Sequence, residues 1–141
     1  MANKLQKGMQ DFGIKQALKY LEKGGRITPA VAALGSMFNI KPVLLIDGGK
    51  LDTYKKVRGL KSAQKAMIEA IKNDIENRFK GTDYLIQTAY SGDLEQGKKW
   101  NETVKQAFPE HDVYNDVLPM SICCHVGPGA LGITCVKKIS L

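Results

Sequence analysis

Long apolar runs are missing from this sequence, and their absence excludes the simplest membrane readings. No stretch approaches the roughly 20 apolar residues that cross a bilayer as a helix. The opening "MANKLQKGMQDFG" lacks the uninterrupted apolar core of a secretory signal. Cysteine is scarce, with three in all and Cys123 and Cys124 adjacent. Such a set makes a poor disulfide framework, so the expected setting is a reducing cytoplasm. Histidine occurs only twice and tryptophan once. The phosphate signature G-x-x-x-x-G-K-[ST] is absent, and neither a nucleoside triphosphate nor a dinucleotide site is expected.

What is present describes a soluble globular chain. At 141 residues it matches one ordinary domain, with 43% hydrophobic and 25% charged residues. The net charge is +7, from 21 Lys plus Arg against 14 Asp plus Glu. The cations are dispersed: Lys55, Lys56, Arg58 and Lys61; Lys98 and Lys99; Lys137 and Lys138. Aromatic residues are not interleaved with them as a base-stacking platform requires, so nucleic acid is not an expected partner. A solvated basic face accounts for the charge.

Periodicity and punctuation then order the elements. A first helix is expected over Lys15 to Lys23, ending at Gly24-Gly25. Thr28-Pro29 opens a second, with a stop at Asn39. The segment "KPVLLIDGGKLDTYKKV" has the form of two strands joined at Asp47-Gly48-Gly49-Lys50, a tight hairpin turn. Leu60 to Phe79 is the longest helix, with Ala63, Met67, Ile71 and Ile75 on one face. "DYLIQTAY" is a strand, "SGDLEQGKKWNETVKQAF" (Ser91 to Phe108) is a helix with a capping box at Asp93 and Gln96, and "HDVYNDVL" is a strand. Strand, helix, strand at that spacing predicts a right-handed crossover with parallel strands. "ALGITCVKK" is a last strand. The expected fold is α/β, a single mixed-sheet domain over residues 1–141 with flanking helices, in which hairpin and crossover share a sheet.

Chemistry concentrates in "CCHVGPGALG", Cys123 to Gly132. Consecutive Cys-Cys-His side chains diverge, so they converge poorly on one metal ion, and the C-x₂-C spacing of zinc sites is missing. A nucleophilic Cys124 needs a base aimed at its sulfur, and His125 is too near in sequence to serve comfortably. Gly127 and Gly129 let a backbone approach a ligand, Pro128 fixes the turn, and His125 adds an imidazole donor. That set suits a carboxylate or phosphate. A structural turn holding a core histidine fits the composition equally well, and the residues alone leave both open.

Several blocks, in register, resemble the DegV-like fatty-acid-binding proteins. They are "LKYLEKGGRIT", "ALGSMFNIKPVLLIDGGKL", "KKVRGLKSAQKAM" and "HVGPGALGI", from about Leu18 to Val136. The resemblance implies a protein of roughly twice this length with a fatty acid channel between two domains. It is similar in its bacterial members to the fatty-acid-binding subunit of fatty acid kinase, which presents a long-chain fatty acid to a separate ATP-using kinase subunit. Only the C-terminal domain is matched, so the N-terminal ligand-binding domain is expected to be absent and either that domain or a second copy of this chain to complete the channel. The resemblance assigns the carboxylate to His125 and the Gly127 backbone, with Gly129 shaping the loop. It implies a lipid-binding carrier and not an enzyme, with no cofactor and no metal. Leu60 and Ser62 stand where the family is often basic, so a partner-docking role rests on Arg58 and Lys61 alone. Two rival expectations remain: a self-associating structural domain without its own ligand, and a thiol enzyme using Cys124.

Overall fold

The structure is a computed structural model and describes residues 40–47 and 50–138. The two helices expected before Ile40 lie outside the described residues, as do Gly48 and Gly49. Strands β1 (Ile40–Asp47) and β2 (Lys50–Arg58) pair antiparallel, with Asp47 opposite Lys50, as the Asp-Gly-Gly-Lys turn requires. The register slips between Val43 and Leu44, whose partners are Lys55 and Thr53. Tyr54 is therefore a bulged residue, and its side chain is exposed.

Helix α1 (Leu60–Asn77) starts after Gly59, whose φ of +84° turns the chain and whose carbonyl accepts the Ala63 N–H. It stops two residues before the expected Phe79. The Asp74 carbonyl takes the N–H groups of both Arg78 and Phe79, and the Phe79 carbonyl takes the Thr82 N–H and hydroxyl. The Arg78 bond is still an ordinary helical one, but the five-residue reach of the Phe79 N–H and the Thr82 bonds close a turn instead of another helical step.

Strand β3 (Tyr84–Tyr90), helix α2 (Leu94–Ala107) and strand β4 (Val113–Val117) form the expected crossover unit. β3 and β4 are parallel, from Ile86 opposite Val113 to Tyr90 opposite Val117. A short helix, α3 (Met120–Val126), was not expected; it precedes strand β5 (Leu131–Lys137). β5 pairs antiparallel with β3, giving a three-stranded sheet in the order β4-β3-β5. The expectation that hairpin and crossover share a sheet is corrected here: β1 and β2 form a separate two-stranded sheet. β3, the central strand, has its two edges taken by β4 and β5, and β1 and β2 bond only to each other.

The described residues fall into two compact units. One holds the hairpin, α1 as far as Ala63, and Met120–Pro128; the other holds Gln64–Pro119 and the chain from Gly129. The second has a core of Ile71, Ile86, Trp100, Val104 and Phe108, with Met67, Ile75, Leu131 and Ile133 packed around it. Each fully buried apolar side chain stabilises by about 1.5–3 kcal/mol. α2 delivers Trp100 and Val104 to this core because they lie four apart on one face. The Trp100 indole N–H donates to the Gly132 carbonyl on β5 at 2.8 Å, tying helix to sheet. Beside it the buried Asn101 amide donates to Thr88 Oγ1 at 2.8 Å and to the Tyr114 carbonyl at 3.3 Å. One polar side chain thus ties α2 to both β3 and β4 through two hydrogen bonds.

Candidate functional site

Pro119 stands directly before α3, whose seven residues carry "MSICCHV". The helix ends at Gly127, where φ is +73° and the N–H donates to the Cys123 carbonyl at 2.9 Å. Glycine supplies that left-handed step at no steric cost, and Pro128 then blocks any further helical turn. Gly129 makes a second left-handed step at φ +85°. The turn therefore takes two left-handed steps within three residues.

In the second unit, the exit of this loop is held by Ser91, the residue after β3 and only 2% exposed. The Gly129 N–H donates to the Ser91 carbonyl at 2.8 Å, and the Ala130 N–H donates to Ser91 Oγ at 2.9 Å. The Ser91 N–H donates back to the Ala130 carbonyl at 3.0 Å. Sequence reasoning passed over Ser91; its only signal was a hydroxyl residue between a strand and the Gly92-Asp93 helix start.

The residues singled out from sequence are placed as follows. His125 lies in α3, and its side chain is outside the described residues. Gly127 and Gly129 sit at the two left-handed steps, with their N–H groups already donating to Cys123 and Ser91. The expectation of Gly127 as a carboxylate donor therefore meets a competitor, and its N–H reaches a ligand only by sharing its hydrogen. Arg58 ends β2 and Lys61 lies in the first turn of α1; both are exposed, and neither joins an ion pair among the described residues.

Cys123 and Cys124 are consecutive on a helix, so their side chains point about 100° apart. Cys124 is exposed, and among the described residues no three His, Cys, Asp or Glu side chains come together as metal ligands would. Cys135 lies on β5 against the core, and burial first, then the Asp74 charge, pushes its thiol pKa up. Gly127, Gly129 and Gly132 have the spacing G-x-G-x-x-G. Here that spacing leads from a helix into a strand, the reverse of the strand-to-helix turn that cradles a dinucleotide. A shallow hollow of about 330 Å³, lined by Phe108, Pro109, His111 and Tyr114 among others, uses none of the loop residues. Among the described residues no helix is long and apolar enough to cross a membrane.

These features define an α/β protein in which a parallel crossover and one antiparallel strand form a three-stranded sheet, with a doubly reversed glycine turn preceding its last strand. A family model described as "Uncharacterised protein, DegV family" matches residues 1–138, and the chain belongs to that family. A DegV domain-containing protein of Listeria innocua is 30% identical over 132 residues, covering 94% of this chain and 46% of the relative. The crystal structure of the fatty acid binding DegV family protein from Streptococcus agalactiae superposes with a TM-score of 0.70 at 27% identity. It covers 87% of this chain and 42% of that one. That of DegV from Bacillus subtilis, a fatty acid binding protein, gives 0.65 at 30% identity, with coverages of 86% and 42%. The chain thus spans less than half the length of the relatives it matches.

Proposed function

We propose that this chain is the C-terminal, lipid-facing domain of a fatty acid carrier, which holds a long-chain fatty acid by its carboxylate at the His-x-Gly-Pro-Gly loop. The observation that carries the reading is its match, in sequence and fold, to the fatty acid binding proteins of Streptococcus agalactiae and Bacillus subtilis. A carboxylate leaving water needs hydrogen-bond donors, because an unpaired charge in an apolar site is very costly. His125 supplies an imidazole donor, Gly127 adds its shared N–H, and Gly129 gives the loop its second reversal. The acyl chain contributes up to about 0.8 kcal/mol per buried CH₂. The tail therefore dominates affinity and the loop sets orientation.

No bond is made or broken in this role. Phosphoryl transfer to the carboxylate belongs to a separate cytoplasmic kinase subunit, toward which the exposed Arg58 and Lys61 offer positive charge. The other channel wall comes from an N-terminal DegV domain or from a second copy of this chain.

Native mass spectrometry of the purified 141-residue chain, with lipid extraction of the same sample, tests the reading. A fatty-acid-sized adduct is expected, and His125→Ala should weaken its retention at least tenfold. A clean mass with dimers, unchanged by His125→Ala, would replace the carrier reading with a self-association domain.

A further inference from the structure

Ser91 stands at the end of the central strand with more of its polar atoms tied to the glycine loop than an ordinary strand residue could manage. In an antiparallel rank, two facing residues exchange both N–H···O bonds through their backbones. Ser91 and Ala130 form the rank after Tyr90 and Leu131, and the first half is ordinary: the Ser91 N–H donates to the Ala130 carbonyl. The second half is not. The Ala130 N–H goes to Ser91 Oγ, at 2.9 Å, instead of to the Ser91 carbonyl. That substitution leaves the carbonyl to accept the Gly129 N–H at 2.8 Å and the Asp93 N–H at 3.1 Å. One buried residue thus satisfies two successive loop N–H groups at the point where Gly129 turns left-handed.

We infer that Ser91 is a positioning residue for the carboxylate site. Its hydroxyl replaces a ladder carbonyl, and by doing so it sets the backbone direction at Gly129, the residue that closes the Gly-Pro-Gly turn. The inference rests on the carrier reading above. An alanine in its place leaves the Ala130 N–H without an acceptor, and the Ser91 carbonyl can serve Ala130 only by releasing Gly129. The loop would then lose its fixed exit while the sheet and core kept theirs.

Displacement of a fluorescent fatty acid by oleic acid and by oleyl alcohol, on the full chain, separates this role from a general loss of stability. Both competitors share the tail, and only the acid carries the carboxylate. Ser91→Ala is expected to weaken oleic acid roughly tenfold while leaving oleyl alcohol within about twofold. Equal weakening of both, or no change in either, overturns the inference and leaves the carrier reading standing. Wild-type chain that binds neither competitor overturns both. Gly129→Ala gives a second approach should Ser91→Ala fail to fold. An added Cβ there meets nothing nearer than Gln96 Oε1 at 3.8 Å, so its effect comes through the φ of +85° alone. The same acid-selective loss is expected, and its absence counts against the inference.

Discussion

Gly97 is where a missing side chain matters most. It is buried on α2, and any Cβ built there would fall onto the ring of Tyr90 on β3. Helix and strand therefore approach at a distance only glycine allows. Gly97→Ala should gain about 1 kcal/mol in helix propensity yet lose more through the clash. A net destabilisation of about 1–3 kcal/mol is expected, read as a lower urea midpoint at unchanged slope. A neutral or stabilised variant would show that Tyr90 swings aside freely. At this scale the sequence offered a glycine within a helical pattern but no sign of its neighbour. Tyr90 lies seven residues earlier, and only the fold of β3 against α2 brings it there.

Among the elements, α2 was the most legible before the structure and is also the best anchored. Asp93 Oδ1 accepts the N–H groups of Glu95 and Gln96 at 2.9 and 3.1 Å. The expected capping box is only half made, since the Asp93 N–H donates to the Ser91 carbonyl and not to Gln96. Asp93→Ala should therefore cost about 1 kcal/mol through the lost cap, while Gln96→Ala should cost much less. Thermal melts of the two variants check that order. The element missed from sequence was α3, whose seven residues are too short for a clear apolar period. Its start at Pro119 and stop at Gly127 were both written in the sequence, but a pattern of about two turns between them is ambiguous with a loop.

For the whole molecule, two titrating side chains make stability depend on alkaline pH. Burial, then the charge of Asp74, raises Cys135 above its ordinary 9.0. Burial, then the charge of Cys135, raises Tyr84 above its ordinary 10.0. The unfolded chain releases these protons at the ordinary values, so above pH 9 it binds fewer than the folded chain. Stability then falls as pH rises from about 9 through the raised folded values, and the effect vanishes below that window. Urea unfolding at stepped pH should show the fall, and Cys135→Ala should flatten its first part. An unchanged slope in that variant would remove Cys135 as the cause.

The sequence by itself determined the family and, apart from α3, the order of the elements in the described chain. It settled the hairpin at Asp47 to Lys50, the α1 face, the crossover with parallel β3 and β4, and the glycine loop. The hairpin, the α1 face and the loop depend on neighbours within a few residues, through turn chemistry, capping or hydrophobic period. The crossover follows from the order of its elements over one strand-helix-strand unit. The sheet partition, the Trp100 bond to Gly132, the contact of Gly97 with Tyr90 and the Ser91 grip on Gly129 and Ala130 were decided only by the tertiary structure. Ser91 and Ala130 are 39 residues apart. No period or motif couples positions at that separation; they meet because β5 closes the second edge of β3 and carries the end of the loop to it.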